Sequence, residues 1–239
     1  MKLITFKQRI SQFETDNWFG EYLYFKAIDR VSYPRKAIEN LSLVDVTQVM
    51  RPFLLMWGQM ARTINRKGTE WEKLHKNLQS KCHVFERFMD LTILEASFDD
   101  SIRHDICEVY DAVRVRNIGP TSVGKLLHLL LPDFFVPWDD EIRKNEMNRL
   151  GFEKDGQSLS FGHSCLEYAR FLEKIHAELN SMLSAASGTE GKSITDIIEE
   201  VLKIRPEVST ERLGPEYIHK KTLAKLFDEY AWASVWKGF

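Results

Sequence analysis

Two carboxylates, Asp139 and Asp140, stand directly after the apolar stretch "LLHLLLPDFFVPW" and open the segment "DDEIRK". An ionised aspartate can stabilise positive charge that develops in a transition state, or polarise an attacking water. The same Asp-Asp-Glu run also suits a helix start, where a carboxylate accepts from free N–H groups and opposes the helix dipole. Asp139 is therefore read two ways, as a catalytic carboxylate or as a helix cap, with Asp140 the runner-up. Other pairs carry metal-type donors. "HDIC" sets His104 and Cys107 three residues apart, and "HSC" sets His163 and Cys165 two apart. A zinc site takes three or four protein ligands, and neither pair has partners close in sequence. No metal and no cofactor is expected.

Gly119 lies twenty residues before Asp139, in "VRVRNIGPTSVGKLL". Val113 and Val115 end one apolar stripe, Asn117, Ile118 and Gly119 form a turn, and Val123, Leu126 and Leu127 begin the next stripe. Glycine relieves crowding in a tight turn, and asparagine is the other residue that tolerates left-handed backbone. Pro120 suits the first position of a helix. The N–H groups left free at that helix start can hold one phosphate.

Hairpin and acid segment together resemble the helix-hairpin-helix superfamily of DNA glycosylases. That family's hairpin reads roughly Leu-Pro-Gly-hydrophobic-Gly-x-x-Thr-Ala, and a catalytic Asp follows at a near-fixed distance in a Pro-x-Asp context. Val115 to Val123 falls on the hairpin and "FFVPWDDEIRK" on the acid segment, which places Asp139 at the catalytic position. The likeness is close over residues 113–144 and extends beyond them only as helical character. Asn117 replaces the first hairpin glycine and Val123 the usual small alanine. Thr121 stands where bifunctional members carry a nucleophilic lysine. Without an amine there no Schiff base forms, so the resemblance implies a monofunctional glycosylase, closest to the alkylpurine type. Lys125, one turn beyond Thr121 on the same face, is the remaining amine.

The resemblance further implies an all-α fold of two helical lobes with a cleft between them and duplex DNA as the partner. Asn117, Ile118, Gly119, Thr121 and Lys125 would grip backbone phosphate. A flipped base would enter a pocket in which Trp138 and Trp57 are stacking candidates, beside Phe134 and Phe135. Hairpins of this kind also serve non-catalytic modules that bind nucleic acid or protein, and that alternative stays open.

The elements that must position these residues read as helices. "TEWEKLHKNLQSKCHVFERFMD" has Thr69 and Glu72 at capping-box spacing and an apolar face from Trp71 to Met89. "SCLEYARFLEKIHAELNSML" repeats the device with Ser164 and Glu167. Helices are expected over Glu70–Met89, Ile102–Val113, Thr121–Leu130, Asp140–Arg149 and Leu166–Met182. A further run starts from a Ser42 cap, with Pro52 expected to kink or split it. "SAASGTEGKS", residues 184–193, reads as a flexible loop, and residues 194–239 as C-terminal helices packing back on the body. His219, Lys220, Lys221 and Lys225 form a basic patch that could meet a phosphate backbone and reads first as a solvated helix start. Alternating β patterns are scarce. The chain reads as a single all-helical unit over 1–239, with hairpin and acid segment at 113–150.

Composition sets the limits. The 239 residues can bury a substantial core, and a net charge of −2 means that any nucleic-acid binding rests on local patches. Three cysteines far apart in sequence count against a disulfide framework. "MKLITFKQRISQF" lacks the apolar region of a secretory signal, and the greasy stretch from Leu126 to Phe135 is too short to span a bilayer. A cytoplasmic protein is expected.

Overall fold

A computed structural model describes residues 1–16, 18–31, 38–56, 64, 68–138, 164–204 and 221–236. Among these residues every regular element is helical and no strand occurs. In chain order they are α1 (Leu3–Asp16), α2 (Trp18–Val31), α3 (Leu43–Asp45) and α4 (Arg51–Met56), then α5 (Trp71–Ser80) and α6 (Cys82–Glu86). The remainder are α7 (Asp100–Val113), α8 (Pro120–Leu130), α9 (Cys165–Glu190), α10 (Ile194–Leu202) and α11 (Leu223–Trp236). None of the described helices is long and apolar enough to cross a membrane.

Local chemistry accounts for most boundaries. Ser42 and Asp45 close a capping box ahead of α3, and Ser164 with Glu167 does the same ahead of α9. A third box, Ser193 with Asp196, starts α10. The effect of Pro52 is a wide turn rather than a break. Residues Val46–Met50 form a π-helical turn in which the Arg51 N–H bonds the Val46 carbonyl five residues back. Proline cannot donate, and its ring crowds the preceding turn, so a wider turn absorbs both defects.

Two expectations change. The expected helix over Glu70–Met89 divides at Lys81, and its expected Thr69–Glu72 box does not form. Thr69 instead donates to the Ile64 carbonyl at 3.2 Å and accepts from Asn117. The loop expected at residues 184–193 is helical through Glu190. Met182, Leu183 and Ala186 are buried on that last stretch, and Gly191 ends it with left-handed backbone (φ 66°) and an N–H bond to Ser187. Burial of one face has outweighed Gly188, while Gly191 ends the helix.

The packing is centred on α8. Every residue from Ser122 to Leu130 is buried. It lies against α2, α4 and α7, while α9 covers α7 and α11 runs along α1. Phe6 and Tyr230 join α1 to α11, with ring centroids 5.3 Å apart. The C-terminal helix α11 thus packs along α1. Gly124 matters on the central helix: a Cβ there would lie 3.0 Å from the backbone N of Trp138. The missing side chain lets the segment leading to Asp139 cross α8 in close contact.

Candidate nucleic-acid interface

A short turn joins α7 to α8. Helix α7 ends at Val113, and the Ile118 N–H bonds the Val115 carbonyl at 2.9 Å to make the turn. Asn117 adopts φ 65°, the one non-glycine residue with positive φ among the described residues. Gly119 caps α8 with extended backbone (φ −81°, ψ 178°), and Pro120 is the first helical residue. Gly119 therefore needs no left-handed freedom, and a Cβ on it would touch nothing within 4 Å. Its bareness leaves the approach to the helix start open. No side chain caps α8, and Val123 is the first residue to bond back, to Gly119. The N–H groups of Thr121 and Ser122 thus precede the first bond of the helical ladder.

Burial alternates through the turn. Val115 and Ile118 are buried and pin it to the core, while Arg114 and Arg116 are exposed on its outer side. A neighbouring loop braces it. Asn117 donates from Nδ2 to Thr69 Oγ1 at 3.2 Å, and the Arg116 N–H donates to Glu70 Oε2 at 3.4 Å. Gly68 (φ 89°) lies under the Arg116 guanidinium, where a Cβ would come within 3.3 Å of the guanidinium carbon. Lys73 hydrogen-bonds Glu70 and, with the Arg116 N–H, holds its carboxyl below the ordinary range. Asn117 thus spends its side chain on the brace.

A second set of bonds fixes the chain that leads to Asp139. The Ile93 N–H donates to the Asp133 carbonyl at 3.1 Å, and Thr222 Oγ1 donates to that of Pro132 at 2.6 Å. His128 Nδ1 donates to the Phe135 carbonyl at 2.6 Å, and the Tyr168 hydroxyl to that of Val136 at 2.8 Å. Since the carbonyl can only accept, Nδ1 carries the proton. Nε2 of a neutral ring then accepts from the Tyr24 hydroxyl at 2.8 Å. Burial, followed by the neighbouring Tyr110, raises the Tyr168 hydroxyl well above the ordinary tyrosine value, so it stays a donor. Four side chains or N–H groups from separate parts of the fold hold residues 132–136.

The expected site residues divide among these settings. Asn117, Ile118, Gly119 and Thr121 come together at the turn. Lys125 does not join them, being only 5 % exposed on the central helix. Its one-turn spacing from Thr121 was sound, but α8 is enclosed on all sides at that depth. Trp138 is 2 % exposed and packs edge-on against Tyr168 and Phe171, with centroids 5.2 and 5.0 Å away. Phe134 and Phe135 are wholly buried beside Phe88. Asp139, Asp140, Trp57, His163, His219 and Lys220 lie outside the described residues, as does the helix expected over Asp140–Arg149.

One charged cluster escaped the sequence reading. Lys225 was expected to be solvated, yet it is fully buried on α11. Its Nζ lies 3.2 Å from Glu229 and 3.5 Å from Asp228, and stands over the rings of Tyr24 and Phe13 at 5.0 and 5.1 Å. Lys221, itself only 6 % exposed at the side chain, reaches Glu229 at 2.7 Å. The available signal was the run "LAKLFDEYAW", where charges at three- and four-residue spacing sit inside an otherwise apolar helix. Through Tyr24 this cluster adjoins His128, and so touches the network that holds the approach to Asp139.

The chain matches no protein-family model, and no curated protein or solved structure is found to be similar to it.

Proposed function

We propose that the protein acts on DNA in the manner of a monofunctional helix-hairpin-helix glycosylase. The turn over residues 117–121 grips one backbone phosphate, and Asp139 supports cleavage of the bond between a damaged base and its sugar. The observation that carries this reading is the start of α8, which has Asn117 in left-handed backbone, Gly119 bare, Pro120 first in the helix and no side-chain cap. Exposed Arg114 and Arg116 favour an anion there. Asp139 would stabilise the oxocarbenium-like sugar as the base leaves, and Thr121 offers no amine for strand cleavage. The test is base release from duplexes carrying a panel of lesions, read as strand breaks after alkali. Wild type should release one class of base, Asp139→Asn should release none while still binding duplex, and borohydride should trap no adduct.

A second reading keeps the DNA grip and drops the catalysis. Its support is the placement of Trp138, Phe134 and Phe135, all packed inside the core and none lining an open wall. It predicts duplex binding without base release from any lesion. Asp139→Ala would then cost only the stability of a lost cap, about 1 kcal/mol.

A further inference from the structure

The three cysteines are far apart in sequence, yet the fold brings two of them together. The Cys107 side chain on α7 interacts with that of Cys165, the first residue of α9, where these two helices pack together. Further contacts join the two helices nearby. Tyr110 and Tyr168, each three residues beyond one of the cysteines, have ring centroids 5.5 Å apart. Arg103 on α7 reaches Glu173 on α9 at 2.8 Å. Both cysteines are half-buried, so a small oxidant can reach the seam while the helices stay packed. Cys82 is also half-buried but lies elsewhere, on α6, with Glu39 and Glu86 as its neighbours.

We infer that Cys107 and Cys165 are a modification site, a thiol pair that closes to a disulfide in the folded protein when a peroxide supplies the oxidising equivalents. Burial first, then Cys165 and the charge of Asp111, push the Cys107 thiol up to about 12, so Cys107 stays protonated and Cys165 reacts first. The Cys165 sulfur attacks one peroxide oxygen and the O–O bond breaks. The departing hydroxide takes up the Cys165 proton, leaving a sulfenic acid and one water. The Cys107 sulfur then attacks the sulfenic sulfur. An S–S bond forms, the S–O bond breaks, and the second hydroxide leaves with the Cys107 proton as water. Two thiols are oxidised and one peroxide is reduced to two waters. The resulting loop encloses the hairpin, α8 and the segment bearing Asp139, and it staples the seam from which Tyr168 holds the Val136 carbonyl.

The test uses the full chain, treated with hydrogen peroxide, quenched, denatured and assayed for free thiols, with non-reduced peptides read by mass spectrometry. Three thiols per chain should fall to one, a peptide joining Cys107 to Cys165 should appear, and a reductant should restore all three. Cys82→Ser should fall from two to none. In Cys107→Ser the cross-link should vanish and dimedone should label Cys165, the sulfenic acid having no resolving partner. Three retained thiols, equal loss of all three, or a cross-link through Cys82 overturns the inference.

Discussion

Replacing Asn117 separates the two tasks that residue performs. Its backbone sits at φ 65°, and its Nδ2 donates to Thr69 Oγ1 at 3.2 Å. Left-handed backbone costs an ordinary L-residue about 1–2 kcal/mol, less for asparagine. A net hydrogen bond contributes about 1 kcal/mol. Asn117→Ala loses both and should destabilise the protein by roughly 2 kcal/mol. Asn117→Gly loses the bond but suits the backbone, so it should fall between alanine and wild type. Urea unfolding followed by circular dichroism reads this order, provided the denaturant slopes agree. Thr69→Val removes the acceptor, and its effect should shrink by about 1 kcal/mol when Asn117 is already glycine. Equal stability of the glycine and alanine variants, or an alanine variant as stable as wild type, would refute the reasoning.

Three further outcomes follow from the packing. Gly124→Ala drives a Cβ to 3.0 Å from the Trp138 backbone and should cost about 1–3 kcal/mol in the same unfolding assay, since backbone on both sides must give. Lys225→Met removes a buried cation from Asp228 and Glu229 and should cost about 3–5 kcal/mol, far more than a solvated lysine would. Lys192 first, then Lys7, lowers the Glu200 carboxyl below its usual range. A depressed acid stabilises the fold above its unfolded value and loses that contribution as pH falls through its folded one. Glu200→Gln should therefore be less stable than wild type near neutral pH, and thermal midpoints should converge on acidification.

What the sequence conveyed follows the range of the forces involved. Ser42, Ser164 and the Asn117–Pro120 turn were legible because caps and turns are decided by residues within four positions of each other. Pro52 signalled a defect, though not that a π-helical turn would accommodate it. The stretch Ser184–Glu190 misled because its small residues suit a loop when isolated, whereas here it continues a long helix whose buried face runs through Met182 and Leu183 to Ala186. Thr69 misled for a related reason. A distant asparagine and the Ile64 carbonyl compete for the hydroxyl that local spacing assigned to a cap. Lys125 was read as a phosphate contact from its place one turn beyond Thr121, and Lys225 as part of a solvated basic patch. Their burial is set by how helices pack against one another, and spacing along one helix does not contain that. The Cys107–Cys165 contact likewise exists only once α7 and α9 meet.

The central claim is that the bare start of α8 holds a phosphate of duplex DNA. Gly119→Val tests it directly, because its Cβ meets no atom of the fold within 4 Å while the side chain adds bulk at the N-cap of α8, where a phosphate would approach. Fluorescence anisotropy of a labelled undamaged duplex, titrated at several salt concentrations, is the measurement. Wild type should bind with an affinity that falls as salt rises, and Gly119→Val, with its helical spectrum unchanged, should bind roughly tenfold more weakly, or about 1.4 kcal/mol. Equal affinity of the two proteins, or no binding by wild type even at low salt, would contradict the account.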